Sequence, residues 1–283
     1  MIEHDVMVQT RYGRQPAFAV CPEGTGPFPG IILYMDAPGI REELRNMARR
    51  IAKHGYFCVL PDLYYRLGTL RFDIPRRNDA MSAVIRGAME SLSNASIVED
   101  TAGMISFLDA QGQVKPGPIG CVGHCMSGGF VVSVAAHFPR VKAAASLYGV
   151  RLVTDKPDSP HLSLDRIRGE LYFGFAEIDP VVPANTVAEF RAALEKARTK
   201  HYLETFAGAR HGFCFADRAD YDPVAAGRAA GCEQKQSCEG GSKYAGNEAW
   251  HAHRGASRFS SQPRLKSARI AIKAAGIAPA RIT

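Results

Sequence analysis

The sequence predicts an α/β fold with a mostly parallel sheet that helices cover on both faces. Continuous apolar runs at 30–35 and 56–61 are typical of strands buried on both sides. Segments with helical periodicity alternate with such runs, and this alternation produces parallel strands. With 283 residues, 46% of them hydrophobic, the chain is long enough to bury one large core.

The first elements form the edge of the sheet and its first crossover. Residues 4–10 and 15–21 alternate between polar and apolar side chains, and the turn at 12–14 predicts that they pair as a hairpin. A helix at 41–54 connects the two buried strands. Residues 64–95 are less regular and rich in Arg and Met, which predicts an excursion over the sheet.

The later elements continue the alternation. A helix is expected at 96–111, and strands are expected at 142–148 and 170–175. A helix at 184–198 then leads into a last strand at 201–206. In a parallel sheet of this kind, ligands bind at the carboxyl ends of the strands.

The segment Gly123-His124-Cys125-Met126-Ser127-Gly128-Gly129 joins the apolar strand 119–122 to a helix through 130–136. This order predicts a strand, a very tight turn and a helix, with Cys125 at the apex. Such a turn strains its central residue and needs small neighbours on both sides. Cys125 is therefore the candidate nucleophile.

The helix after Cys125 would direct its free N–H groups and its positive dipole end at the sulfur, which favours the thiolate. The N–H of Met126 is the natural donor to a developing oxyanion. The alternative is that Cys125 is a buried small residue in a Gly-rich turn, of the sort that also binds nucleotides.

A thiol nucleophile needs a base and an acid that orients the base. Asp179 follows the strand 170–175, and His211 follows the last strand. The chain order of nucleophile, acid and histidine is the order that this type of turn uses. Taken singly, Asp179 is also explained as a turn or helix-capping residue, and His211 as an ordinary loop histidine.

At these residues the chain resembles the dienelactone hydrolase family of the α/β-hydrolase fold, over about residues 5–228. The motifs that support the resemblance are Met35-Asp36-Ala37-Pro38-Gly39, Gly55-Tyr56 with Leu60-Pro61-Asp62-Leu63-Tyr64, the Cys125 turn, Asp179-Pro180-Val181-Val182-Pro183 and Ala209-Arg210-His211-Gly212-Phe213. The resemblance implies hydrolysis of a small ester or lactone through a thioester, without a cofactor.

The resemblance also implies roles for single residues. Cys125 would be the nucleophile, His211 the base and Asp179 its orienting acid. The N–H groups of Met126 and Ala37 would form the oxyanion hole.

Two departures from the family pattern bear on the substrate. Asp36 stands where dienelactone hydrolase has a glutamate that contacts the resting thiol, so we expect Asp36 to contact the thiol or line the substrate pocket. The basic residue that reads the dienelactone carboxylate after the histidine is not matched, since the next arginine is Arg218. The substrate is therefore expected to be another ester or lactone.

The formal net charge of +7 is concentrated at the end of the chain. From Ala226 to Thr283 there are ten Lys and Arg against three Asp and Glu, so the remainder is neutral. We expect a hydrolase domain over 1–228 and an irregular, poorly ordered basic tail over 229–283.

One alternative function is a hydrolase-like scaffold whose tail binds nucleic acid or an anionic surface. Another explanation of the tail is a shifted reading frame.

The seven cysteines are dispersed and odd in number, which favours free thiols in a reducing compartment. No signal peptide or membrane span is evident in the sequence, so we expect a cytoplasmic protein. In the tail, the spacing of Cys232, Cys238, His251 and His253 fits no common zinc site, and no metal is expected.

Overall fold

The computed structural model describes residues 1–230, which form one eight-stranded sheet flanked by helices. The strands are β1 (Ile2–Thr10), β2 (Gly13–Cys21), β3 (Gly30–Tyr34), β4 (Phe57–Pro61), β5 (Ile119–His124), β6 (Val141–Leu147), β7 (Glu170–Ile178) and β8 (His201–Arg210). The α-helices are α1 (Glu42–Lys53), α2 (Asp79–Glu90), α3 (Asn94–Asp109), α4 (Ser127–His137), α5 (Ala184–Ala197) and α6 (Pro223–Ala229). Short 3₁₀ helices occupy Tyr65–Leu67, Ile74–Arg76 and Pro160–Arg166.

The strand order across the sheet is β1-β2-β4-β3-β5-β6-β7-β8. β2 pairs antiparallel with β1 and with β4, and every later pair of neighbours is parallel. This arrangement confirms the predicted α/β fold and the predicted hairpin at one edge. The carboxyl ends of β3, β5, β6, β7 and β8 therefore meet along one edge of the sheet.

Burial explains why these segments form strands and helices. Every residue of β3, β4 and β5 is buried, as the continuous apolar runs predict. Helix α1 buries Leu44, Met47, Ala48 and Ala52 against the sheet and leaves its charged side on the surface. Its acidic residues lie in the first turn and its basic residues in the last, so they complement the helix dipole.

The structure differs from the sequence prediction within residues 64–95. This excursion contains a regular helix, α2, which the sequence analysis did not predict. Asn78 caps it by accepting a 2.8 Å hydrogen bond from the amide of Met81. The helix buries only Ile85 and Ala88, and Gly87 in its interior disfavours a helix in the sequence.

The last described element is α6, whose N-terminus is capped by the carboxylate of Asp222. The predicted division into a domain over 1–228 and a tail over 229–283 stays a prediction, because residues 231–283 lie outside the described part of the chain. Among residues 1–230, no helix is both long and apolar enough to cross a membrane.

Candidate active site

Cys125 lies in the turn between β5 and α4, with a left-handed backbone (φ 50°) that is costly for any residue except glycine. Three backbone hydrogen bonds hold this conformation. The Cys125 amide donates to the carbonyl of Leu147 at 3.0 Å, and the Cys125 carbonyl accepts from the amides of Gly128 and Val150, both at 3.0 Å. The turn therefore fixes the thiol at the carboxyl edge of the sheet.

The small residues around Cys125 are required by close backbone approaches. A Cβ on Gly123 would lie 2.8 Å from a methyl group of Val131 and would also collide with the backbone of Ser127. A Cβ on Gly128 would lie 2.6 Å from the hydroxyl of Ser146. Distances under 3.0 Å are not found for real Cβ atoms, so these glycines permit the turn to pack against its neighbouring strand.

The pairing of β7 with β8 brings Asp179 and His211 together. Ile178 and Arg210 are register partners at the ends of these strands, and Asp179 and His211 are the next residues. The Asp179 Oδ2 atom lies 2.8 Å from Nδ1 of His211. Its Oδ1 atom accepts hydrogen bonds from the amides of Val181 and Val182 at 2.9 and 3.0 Å. The ionised carboxylate accepts only, so Nδ1 carries a proton and donates.

The other ring nitrogen of His211, Nε2, is buried and has no hydrogen-bond partner within residues 1–230. Burial opposes the charged form of His211, but interactions with Asp179 and Cys125 outweigh burial and raise its pKa to about 9. Cys125 is therefore close enough to His211 to influence the charge of its ring.

The amides of Met126 and Ala37 lie on two separate segments of chain beside Cys125. Neither amide takes part in a hydrogen bond within the described residues. The Tyr64 hydroxyl donates to the carbonyl of Ala37 at 2.7 Å and lies 3.4 Å from the sulfur of Met126. The Ser127 hydroxyl donates to the carbonyl of Met35. Tyr64 and Ser127 thus join the two segments.

Asp36 is fully buried, and its hydrogen bonds go to arginines. Oδ1 accepts from Arg41 at 2.6 Å, and Oδ2 accepts from Arg218 at 2.5 Å. Arg41 also donates to Asp217 at 2.5 Å. In the described part of the chain, no hydrogen bond joins Asp36 to Cys125, so the structure does not place Asp36 in the expected contact with the thiol.

Arg41 and Arg218 also pack on the ring of Phe215, with their guanidinium carbons 4.8 and 4.9 Å from its centroid. These arginines offset the cost of burying the Asp36 charge. Sequence reasoning missed both partners of Asp36. One signal in the sequence could have indicated these partners: Asp36 comes directly after a buried strand, and a buried aspartate needs a cation or several hydrogen-bond donors.

Two further titratable residues, His124 and Cys121, lie in β5 just before the turn. His124 is buried against Phe215 and Tyr148, with ring centroids 5.2 and 5.9 Å away, and burial lowers its pKa to about 4. Burial also raises the pKa of Cys121. Both therefore stay neutral at neutral pH and are packing residues.

No group of three His, Cys, Asp or Glu side chains within residues 1–230 is placed to hold a metal ion. The tail residues considered for zinc, Cys232, Cys238, His251 and His253, lie outside the described residues.

Comparisons with known proteins show which family and which fold the chain resembles. The sequence profile of the dienelactone hydrolase family matches residues 16–233. A protein of Synechocystis sp. with the provisional name carboxymethylenebutenolidase is 31% identical over 208 residues, which cover 72% of this chain and 83% of that protein. A protein of Methylorubrum extorquens with the same provisional name is 27% identical over 227 residues, which cover 79% and 75%.

Among solved structures, a provisionally named dienelactone hydrolase from Klebsiella pneumoniae superposes with a TM-score of 0.72 at 24% identity. The match covers 80% of this chain and 93% of that chain. At this level of identity the similarity establishes a common fold.

Proposed function

Because this chain belongs to the dienelactone hydrolase family, we propose that it hydrolyses a small ester or lactone with Cys125 as nucleophile, His211 as base and Asp179 as the residue that orients the base. The observation that supports this proposal most is the position of His211. Its Nδ1 lies 2.8 Å from the Asp179 carboxylate, its buried Nε2 has no other partner within residues 1–230, and Cys125 is near enough to raise the pKa of the ring.

The raised pKa of His211 makes the ring a ready acceptor for the thiol proton, which moves from Cys125 to Nε2 as the sulfur attacks. The sulfur attacks the substrate carbonyl, and the carbonyl oxygen becomes an oxyanion that accepts hydrogen bonds from the amides of Met126 and Ala37. The intermediate then collapses. The alkoxide leaves with the Nε2 proton of His211, and a thioester to Cys125 remains.

Formation of the thioester changes the environment of His211. The acylated sulfur can no longer share a proton with His211, so the contribution of Cys125 to raising the histidine pKa is lost. Neutral Nε2 takes a proton from water, and the resulting hydroxide attacks the thioester. The carboxylic acid product is released, and the proton on Nε2 returns to the sulfur as it leaves.

An activity screen over short esters, lactones and thioesters tests the proposal directly. Wild-type protein is compared with Cys125→Ala and with Cys121→Ala, which removes a buried thiol from the same strand and turn region. We expect Cys125→Ala to abolish turnover and Cys121→Ala to retain it. Turnover by folded Cys125→Ala equal to that of wild type would refute the nucleophile.

A thiol nucleophile also requires a reducing environment. All five cysteines within residues 1–230 are free, namely Cys21, Cys58, Cys121, Cys125 and Cys214. We therefore propose a cytoplasmic location, where thiols stay reduced.

A further inference from the structure

Arg151 is a half-buried arginine next to the candidate nucleophile. It follows Val150, whose amide donates to the carbonyl of Cys125 at 3.0 Å, so the two residues are close through the backbone. Within the described residues, the Arg151 side chain has no hydrogen-bond or ion-pair partner. A guanidinium has five donors, and one that is partly buried without a partner is suited to receive an anion.

The backbone of Arg151 is also unusual. Its φ of 57° is left-handed, a conformation that an arginine adopts at a cost. Cys125, with φ 50°, and Tyr148, with φ 39°, share this feature in the same region. Strained residues of this kind persist where the surrounding structure fixes them, and they concentrate at functional sites.

Arg151 lines a cavity of about 180 Å³ beside the candidate oxyanion hole. Met126, Gly129 and Phe130 form one wall from the start of α4, and Asn94 contributes from the start of α3. The cavity therefore begins at the residue whose amide is the proposed oxyanion donor.

Tyr64 connects the cavity electrostatically to the thiol. Burial raises the pKa of Tyr64, the negative charges of Asp36 and Cys125 raise it further, and the positive charge of Arg151 opposes this rise. The Tyr64 hydroxyl is thus within electrostatic reach of both Cys125 and Arg151. Met126, the residue after Cys125, lines the same cavity as Arg151, so a substrate bound to the sulfur can extend toward Arg151.

The other charged residues that line the cavity are Lys156 and Asp158, and both are exposed. Lys156 is itself positive, and Asp158 forms no ion pair with Arg151 within residues 1–230. The partly buried charge in this cavity is therefore positive.

We propose that Arg151 determines specificity by binding a carboxylate on the acyl part of the substrate, so that the enzyme prefers half-esters of short dicarboxylic acids. The inference rests on the proposed hydrolysis at Cys125. A guanidinium forms two parallel hydrogen bonds with a carboxylate, and such charge-assisted pairs are strong when partly buried.

The test compares two matched substrates, p-nitrophenyl hemiglutarate and p-nitrophenyl pentanoate, which differ in the terminal carboxylate. We expect wild-type protein to prefer the hemiglutarate in kcat/KM. We expect Arg151→Gln to lower the ratio of the two kcat/KM values by about tenfold or more, and Arg151→Lys to restore part of it. Arg168→Gln is the matched control, since it removes the same charge from the amino end of β7 at the opposite edge of the sheet.

The inference is wrong if wild-type protein shows no preference, or if Arg168→Gln lowers the ratio as much as Arg151→Gln does. This failure can be distinguished from failure of the proposed function. If the protein hydrolyses the pentanoate but shows no preference, only the role of Arg151 is refuted. Absence of turnover with both esters and in the wider screen refutes the hydrolase proposal as well.

Inhibition of wild-type protein provides a second measurement that needs no variant to fold. Glutarate should inhibit turnover of the neutral ester about tenfold more strongly than pentanoate does, because only glutarate leaves a second carboxylate for Arg151. Equal inhibition by the two acids would contradict the proposal.

Discussion

The chemistry of the site depends on how a single proton is held by His211. Asp179 fixes the proton on Nδ1, because both carboxylate oxygens already accept hydrogen bonds and one of them faces the ring. The same contact leaves Nε2 for the sulfur. The tautomer and the orientation of the ring therefore share one cause, and the same carboxylate, together with Cys125, raises the pKa of the ring against the effect of burial.

Replacing Asp179 with asparagine tests that cause. The asparagine side chain keeps the size of Asp179 but carries no charge, so the histidine pKa falls and the favoured tautomer changes. By analogy with other triads, we expect kcat for an activated ester to fall by roughly 10³ to 10⁴. The measurement is steady-state kinetics beside a thermal melt. A folded variant with nearly unchanged kcat would contradict the role of Asp179.

Cys125→Ala should lower the pKa of His211 below about 9, since Cys125 contributes to raising it. Because the folded-state pKa of His211 lies above the ordinary value of about 6.5, protonation of His211 stabilises the fold. This stabilisation is fully present below about pH 6.5 and is lost as the pH rises through about 9. In the variant the loss should therefore be complete at a lower pH, and its total size should be smaller. NMR titration of the His211 ring measures the shift, with Cys21→Ser as control. An unchanged pKa would contradict the pairing of His211 with the thiol.

At the scale of elements, two segments must keep a fixed distance for the amides of Ala37 and Met126 to act together. Helix α4 carries one amide and the segment after β3 carries the other. Hydrogen bonds of Tyr64 and Ser127 connect the two segments, and the pairing of Asp36 with Arg41 anchors the segment after β3. The buried ion pairs are thus part of the support of the site.

Arg41→Met should destabilise the protein by about 3 kcal/mol, because it leaves the buried Asp36 charge with one arginine fewer. Arg140→Met is the control, since it removes an exposed pair with Asp109 and should cost less than about 1 kcal/mol. Urea unfolding of both variants provides the comparison. Equal free energies of unfolding for the two variants would show that the Asp36 pair is not a structural anchor.

The sequence predicts the parts of the fold and site that depend on local pattern and topology. Asp179 and His211 could be placed together because both follow parallel strands, whose ends share one edge. Arg218, one of the two partners of Asp36, could not be found in this way, because it is 182 residues away and its reach depends on tertiary packing. Helix α2 was missed because Gly87 lies in its interior, where glycine disfavours a helix.

At the scale of the whole molecule, charge and site occupy different parts of the chain. The basic excess begins at Ala226, whereas Cys125, Asp179 and His211 all lie before it. The family profile ends at residue 233, close to the end of α6. The chain therefore divides into a neutral part that contains every proposed site residue and a basic part that contains none.

This division predicts that a chain ending at Ala230 retains the activity of the full chain. It keeps every residue of the proposed site and α6 with its cap, so we expect unchanged kcat/KM on a neutral ester and a similar melting temperature. The same pair of proteins tests the alternative role of the tail. Nucleic-acid binding through the basic residues would weaken steeply with added salt and would be absent from the shortened chain. Loss of turnover or folding in the shortened chain would instead show that the hydrolase domain extends beyond residue 230.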